Sequence, residues 1–377
     1  MIRARTVAGH EVWLVTRYGE VRTVLSDPRF SRAAAVRPGG PHAGAVAPRP
    51  GTLTALDPPA HTRMRRLVAG AFAPRRIGQW RPWIALVARK LAAVMAAAGP
   101  PADLRQAFAL PLPLAVMARL LGVPEAEQER FEIWSDQLYS LASPDPATAA
   151  LAYDGLHGYL ADLLDAKRVA LPAEPDLLDD LLTTGLSTAE LVGFAGSLLV
   201  AGYETTASQL GAFTVELLRA PARWERLVAE PALVPAAVEE LLRINGLSET
   251  GQVRVALVDT ELAGVVVRAG DGVLAAVGSA NRDPRAFPDP DRYDPDRYPP
   301  ECRHVGQARP QQHLTFGHGP HFCLGAQLAR IELIEALRAL LELLPGLRLA
   351  VPAEQIPWRR TLIRGPERVP VTWRPAS

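Results

Sequence analysis

The stretch that most constrains the fold is Phe316-Gly317-His318-Gly319-Pro320-His321-Phe322-Cys323-Leu324-Gly325. It is a glycine-spaced loop with one cysteine, and it runs directly into an amphipathic segment, Ala326 to Leu344. Apolar residues there fall at Leu328, Ile331, Leu333, Ile334, Leu337, Leu340, Leu341 and Leu344. The spacing is helical and predicts that acidic and basic residues hold the opposite face. Cys323 therefore stands at the N-terminus of a long helix, where the dipole and free backbone N–H groups favour a thiolate. Gly317, Gly319 and Gly325 omit side chains where a flat, bulky partner would approach the backbone. Phe316 and Phe322 would shield a sulfur from water.

Three plainer readings compete. A lone cysteine is commonly a small buried hydrophobe. Cys302, His304, His313, His318, His321 and Cys323 are crowded enough to raise a zinc site, but no Cys-x-x-Cys occurs and the spacings match no common zinc module. The Gly-x-Gly resembles a dinucleotide fingerprint, yet Phe322 takes the third glycine position and no strand pattern precedes it. The combination suits a thiolate ligand to heme iron, whose electron donation favours O–O cleavage.

With 377 residues, 48% of them hydrophobic, the chain can bury one large core or two smaller ones. A formal charge of +1 argues against general nucleic-acid binding. Two cysteines make no disulfide framework, which fits a reducing cytoplasm. Met1 to Gly9 has no apolar core and does not read as a signal peptide. The apolar run from Leu191 to Gly202 is too short to span a bilayer.

In chain order, Glu11 to Thr16 reads as a strand and Tyr18 to Leu25 as a helix, and Ala33 to Ala55 as a long loop of the lid or wall type. A helix starts near Pro58-Pro59 and places His61 and Arg65 on one face. That face reads as a solvated basic surface, or beside a heme as a grip on its propionates. Helices follow over Trp83 to Ala97, Leu110 to Leu121, Glu125 to Leu141 and Thr148 to Ala170. Ser187 with Glu190 marks the start of another, running to about Arg219. Its middle, Ala201-Gly202-Tyr203-Glu204-Thr205-Thr206, is poor helix chemistry inside an apolar stretch. Either the hydroxyls fold back onto preceding carbonyls, or the helix opens at Gly202 so that Glu204 and Thr205 handle protons. A buried carboxylate there needs a partner. Pro235 to Ile244 is helical, with Glu240 and Arg243 on one face as a weak surface pair or a strong buried one. Val253 to Asp259, Val265 to Val267 and Val273 to Val277 read as strands, Asn281 to Arg297 as irregular, and Leu347 to Thr372 as a small strand-rich tail.

Taken together, these features resemble the cytochrome P450 family of heme-thiolate monooxygenases, over essentially the whole chain. The resemblance implies a mainly α, triangular fold with small β-sheets, a single domain over 1–377 whose usual N-terminal helix is missing or truncated. It implies heme b ligated by Cys323 in the Phe316–Gly325 signature, with Phe316, Gly317 and Gly325 against the cofactor. It implies propionate contacts from His61, Arg65, Arg254 and His313, proton handling by Glu204 and Thr205, and a Glu240, Arg243 and Arg297 ion network. Ser197, Leu198, Ala201, Leu247 and Thr250 become pocket candidates for a hydrophobic substrate. The segment from Asn245 to Gly251 departs from the family, which has a proline and tighter spacing there. No flavin or nicotinamide module is recognisable, so electrons would come from NAD(P)H through a ferredoxin reductase and a ferredoxin, docking on Arg63, Arg66, Arg75 and Arg76. The expected protein is a cytoplasmic monomer with no membrane or nucleic-acid partner, oxidising a biosynthetic intermediate. Oxidative cross-linking or ring closure, and a heme-binding protein without turnover, are the alternatives.

Overall fold

A computed structural model describes the chain apart from residues 44–51, 125–126, 128–129, 131–132, 135–136, 138–145, 170–175, 248–251, 299–310, 360–362 and 375–377. Its longest element is the helix Thr188–Leu218, here the central helix, at 31 residues about 45 Å long. It opens with the expected capping box: the Ser187 hydroxyl accepts from the Glu190 N–H at 3.3 Å, and the Glu190 carboxylate accepts from the Ser187 N–H at 2.9 Å. Leu191, Phe194, Ala195, Leu199, Tyr203, Ala207, Leu210 and Phe213 are all buried, so the helix is core on almost every side. It packs against the helices Pro111–Leu121, Pro146–Val169 and Ala326–Leu343. The last of these follows the cysteine loop and lies along Arg81–Ala98. The other helix that matters for the site, Ala60–Ala69, carries His61 and Arg65.

A five-stranded sheet flanks the helices. Its spatial order is Ile2–Arg5, Glu11–Val15, Gly272–Ala275, Gln252–Ala256 and Phe30–Ser31. The pair Glu11–Val15 and Gly272–Ala275 is parallel; the others are antiparallel. The register sets Arg254 opposite Val273, and Val255 opposite Ser31. The described residues also form two smaller sheets: Ala102–Asp103, Pro370–Thr372 and Arg348–Leu349, and the hairpin Thr260–Leu262 with Val265–Val267. Among the described residues no helix is long and apolar enough to cross a membrane.

Several expectations need correction. The strand Ile2–Arg5 went unrecognised because it is an edge strand whose residues are mostly exposed and show no apolar alternation. The segment Ala33 to Ala55 is not all loop: it starts inside a short helix, Arg32–Ala35, and ends in a 3-10 turn, Leu53–Ala55. A π-turn, Arg105–Ala109, precedes the Pro111 helix. Among its described residues the tail holds two short strands, Arg348–Leu349 and Pro370–Thr372. Much of the helix expected over 125–141 lies outside the described residues. The central helix does not open at Gly202. It is continuous, and a Cβ at Gly202 would lie 2.4 Å from the sulfur of the buried Met117 side chain, which would have to shift. The polar face expected for Ala326–Leu343 is interrupted, since Glu332 and Glu335 are buried.

Candidate active site

The cysteine loop is folded back on itself by two backbone bonds. The Gly317 N–H donates to Leu314 O at 2.7 Å and the Cys323 N–H to Phe316 O at 2.8 Å. Gly317 and Gly319 sit at φ 76° and 71°, where a side chain is strained, and a Cβ on Gly319 would also meet the Ser26 backbone at 2.8 Å. A Cβ on Gly325 would project into open space. Cys323 and Phe322 are exposed although Leu314 and Ala326, which bracket the loop, are core. The loop therefore borders an interior opening. Loss of water pushes the Cys323 thiol pKa up, and the Gly325 N–H, Arg65 and Arg330 only partly oppose this.

Beside the loop lies a group of buried ring and guanidinium nitrogens without protein partners among the described residues. His61 is 2% exposed, and neither of its ring nitrogens is hydrogen-bonded. The His321 ring packs against it at a centroid distance of 4.2 Å, with Nε2 likewise unpartnered. Burial, helped by Arg254 and His61, pushes the His321 pKa down to about 3. Arg254 reaches Phe30 O at 3.3 Å with Nη1, while its Nε and Nη2 have no partner; burial and then Arg32 lower its pKa to about 10. Arg65 donates to Phe322 O at 2.7 Å, and its charge acts on Cys323. An unsatisfied buried polar atom costs about 1–3 kcal/mol, so five such nitrogens in one place mark the seat of an anionic group.

His313 does not belong to this group. Its Nε2 pairs with Glu239 at 3.1 Å, and its Nδ1 accepts from the Thr315 N–H at 3.3 Å. Burial would raise the Glu239 pKa, but His313 and Arg330 hold it down to about 2. The imidazole that faces the cluster is instead His321, which the sequence reading passed over as a contact. Its place in the His321-Phe322-Cys323 triplet was the available signal, since only the loop's fold brings it opposite His61.

On the central helix, the Thr205 hydroxyl donates back to Ala201 O at 2.5 Å, the local bond expected of a mid-helix threonine. Ala201 is exposed while Leu199 and Tyr203 are core, so this face meets open space. Glu204 points elsewhere and is 1% exposed. Its carboxylate accepts from Arg105 at 3.1 and 3.3 Å, from Ser208 Oγ at 2.9 Å, and from Arg359. The partner that a buried acid requires is thus a pair of arginines, both distant in sequence and neither anticipated.

Glu240 and Arg243 are fully buried and joined by two bonds of 2.7 Å. Arg297 adds a third leg, its Nε 3.3 Å from Glu240 Oε1. Of the pocket candidates, Ser197 bonds its own helix at Gly193 O, 2.7 Å, and Leu198 packs on the core. Leu247 is half-buried, and Thr250 lies outside the described residues. Two of the four proposed docking arginines carry acidic partners, Arg63 with Glu190 at 2.6 Å and Arg76 with Asp180. Cys302 and His304 fall outside the described residues, and among those described no three His, Cys, Asp or Glu side chains are placed to hold a metal ion.

A sulfur facing an interior opening, a glycine that leaves space beside it and anion-seeking nitrogens at the rim suit a flat, metal-bearing, carboxylated cofactor. Proteins built this way form the heme-thiolate class. The family model described as Cytochrome P450 matches residues 148–344. Nocardicin C N-oxygenase of Nocardia uniformis subsp. tsuyamanensis is 44% identical over 99% of this chain and 92% of its own. Mycinamicin IV hydroxylase/epoxidase of Micromonospora griseorubida is 43% identical over 98% and 92%. Among solved structures, the LnmA cytochrome P450 hydroxylase from the leinamycin biosynthetic pathway of Streptomyces atroolivaceus S-140 superposes with a TM-score of 0.87 at 44% identity, covering 98% of this chain and 92% of that one. The chain belongs to the cytochrome P450 family. It is accordingly a monooxygenase, an oxidoreductase whose family implies heme.

Proposed function

We propose that the chain binds heme b through Cys323 and hydroxylates or epoxidises a hydrophobic natural-product intermediate, with electrons passing from NAD(P)H through a ferredoxin reductase and a ferredoxin. The observation that carries the cofactor assignment is the set of partnerless nitrogens on His61, His321 and Arg254 beside an accessible thiol. The substrate class is supported by the relatives, two of which are named for action on nocardicin C and mycinamicin IV.

Bound heme supplies the iron that takes up and splits dioxygen. Cys323 holds it, with Phe316, Gly317 and Gly325 shaping its bed. His61, His321, Arg65 and Arg254 hold its carboxylates, and their charge-assisted bonds are stronger than neutral ones. Thr205 is the catalytic hydroxyl: Oγ1 donates and accepts at once, so it passes a proton to the substrate side when it leaves Ala201 O. Glu204 is the relay that replenishes it: its carboxylate takes a proton from water and hands it to Thr205 Oγ1. To do so it must turn out of its contacts with Arg105 and Arg359, which hold the carboxylate ready but away from the reacting side. The exposed face at Ala201, with Ser197 and Leu198 one turn before it, bounds the substrate, and Leu247 and Thr250 remain pocket candidates by the family resemblance. Arg66 and Arg75, exposed and without an acidic partner among the described residues, are the better half of the docking surface for an acidic ferredoxin. The protein works as a cytoplasmic monomer.

The test supplies reductase, ferredoxin and NADPH with candidate intermediates and measures substrate-dependent oxygen uptake and product mass. A product heavier by one oxygen atom supports the proposal. A coupled product lacking two hydrogens would replace it with cross-linking, a reading favoured by the 37% identity to cytochrome P450mel 107F1, described as having biaryl coupling reactivity.

A further inference from the structure

Arg32 is a buried cation whose guanidinium meets no carboxylate among the described residues. It begins the short helix after strand Phe30–Ser31 and is 9% exposed. Its guanidinium meets main-chain carbonyls, Thr54 O at 3.2 Å and Val253 O, which a neutral donor would satisfy equally well. Val253 immediately precedes Arg254, and Arg254 in turn donates to Phe30 O. The two arginines thus cross between paired strands, close enough for the Arg32 charge to bear on Arg254. Two neighbouring buried guanidiniums are costly unless anions compensate them.

Only part of that compensation is present. Asp57 accepts from the Arg32 N–H at 2.9 Å, the Ala33 N–H at 3.3 Å and the Ser31 hydroxyl, and its charge acts on Arg32, Arg254 and His61. Among the described residues, Arg32, Arg65 and Arg254 against this one carboxylate leave two fixed positive charges. We propose that Arg32 belongs to the cofactor's anion cradle, as the cation that matches the cradle's fixed charge to a dicarboxylate. Arg32 need not touch the carboxylates; it acts through the field, and Asp57 trims that field to plus two. The inference rests on the heme reading above.

The experiment follows transfer of cofactor from the loaded protein to excess apomyoglobin, using protoheme and its uncharged dimethyl ester. Arg32→Gln is expected to speed loss of protoheme on the order of tenfold, as one unit charge acting at an intermediate dielectric would, with little effect on the ester. Arg32→Lys is expected to restore slow loss. Asp57→Asn, which raises the net charge, is expected to retain protoheme longer relative to the ester. Equal acceleration for both cofactors in Arg32→Gln would make Arg32 a structural tie and overturn the proposal, as would unchanged protoheme loss. Should Arg32→Gln fail to fold, an unchanged protoheme-to-ester ratio in Asp57→Asn overturns it. Failure of the wild-type protein to retain protoheme would overturn the heme reading itself, a distinguishable result.

Discussion

Replacing Arg243 by methionine removes the most heavily used side chain in the described structure. The guanidinium makes two 2.7 Å bonds to Glu240 and donates to Asn281 O at 3.0 Å, Pro290 O at 2.7 Å and Arg292 O at 3.2 Å. Methionine fills much of the volume but donates nothing. Breaking one side of a buried ion pair costs roughly 3–5 kcal/mol, and Asn281 O, the fully buried one of the three stranded carbonyls, adds about 1–3 kcal/mol. Glu240 keeps the Asp294 N–H at 2.9 Å and Arg297 at 3.3 Å, which holds the pair's share near the lower figure. The total of about 5 kcal/mol rivals the whole stability of many domains. Urea unfolding of the heme-loaded protein, followed by far-UV circular dichroism, measures it; the expected outcome is a collapse in folded yield or a loss of at least ~3 kcal/mol. A loss below ~1 kcal/mol would mean that the pair behaves as an exposed one, and the argument from burial would be wrong.

Other outcomes can be checked separately. Glu332 is 2% exposed with an unpartnered Oε2, and burial raises its pKa well above the ordinary value. The folded protein therefore keeps a proton that the unfolded chain releases above about pH 4.3. Stability relative to Glu332→Gln should fall as pH rises through that window, by at most ~1.4 kcal/mol per pH unit; parallel curves for the two proteins from pH 5 to 7 would refute this. Gly202→Ala should cost about 1–3 kcal/mol by overpacking against Met117, and Met117→Ala should make the glycine replacement cheaper in a double-mutant cycle. Thr205→Ala should keep heme and substrate binding but divert reducing equivalents to free hydrogen peroxide, read as peroxide per NADPH consumed. Unchanged coupling would remove Thr205 from the mechanism.

What could be read in the sequence was what is local. The Phe316–Gly325 loop, the capping box at Ser187 and Glu190, and the i, i+3 placement of Glu240 and Arg243 each depend on residues a turn or two apart. Their structure follows from backbone geometry alone. What could not be read was set by contacts across the chain. Nothing near Glu204 announces Arg105 or Arg359, because the π-turn and the C-terminal segment that deliver them are placed by packing. His313 and His321 show the same limit within one loop: both are histidines beside the cysteine, and only the fold turns one toward His61 and the other toward Glu239. Gly202 misled because a glycine beside an acid and two threonines reads as a break, whereas the cause is the close approach of Met117.

The absorption spectrum of the dithionite-reduced, carbon monoxide-bound protein bears most directly on the Cys323–iron bond. Thiolate ligation predicts a long-wavelength Soret band in the wild-type protein and its loss in Cys323→Ser that still holds heme. A short-wavelength band in folded, heme-loaded wild-type protein, or a long-wavelength band surviving in Cys323→Ser, would contradict the assignment.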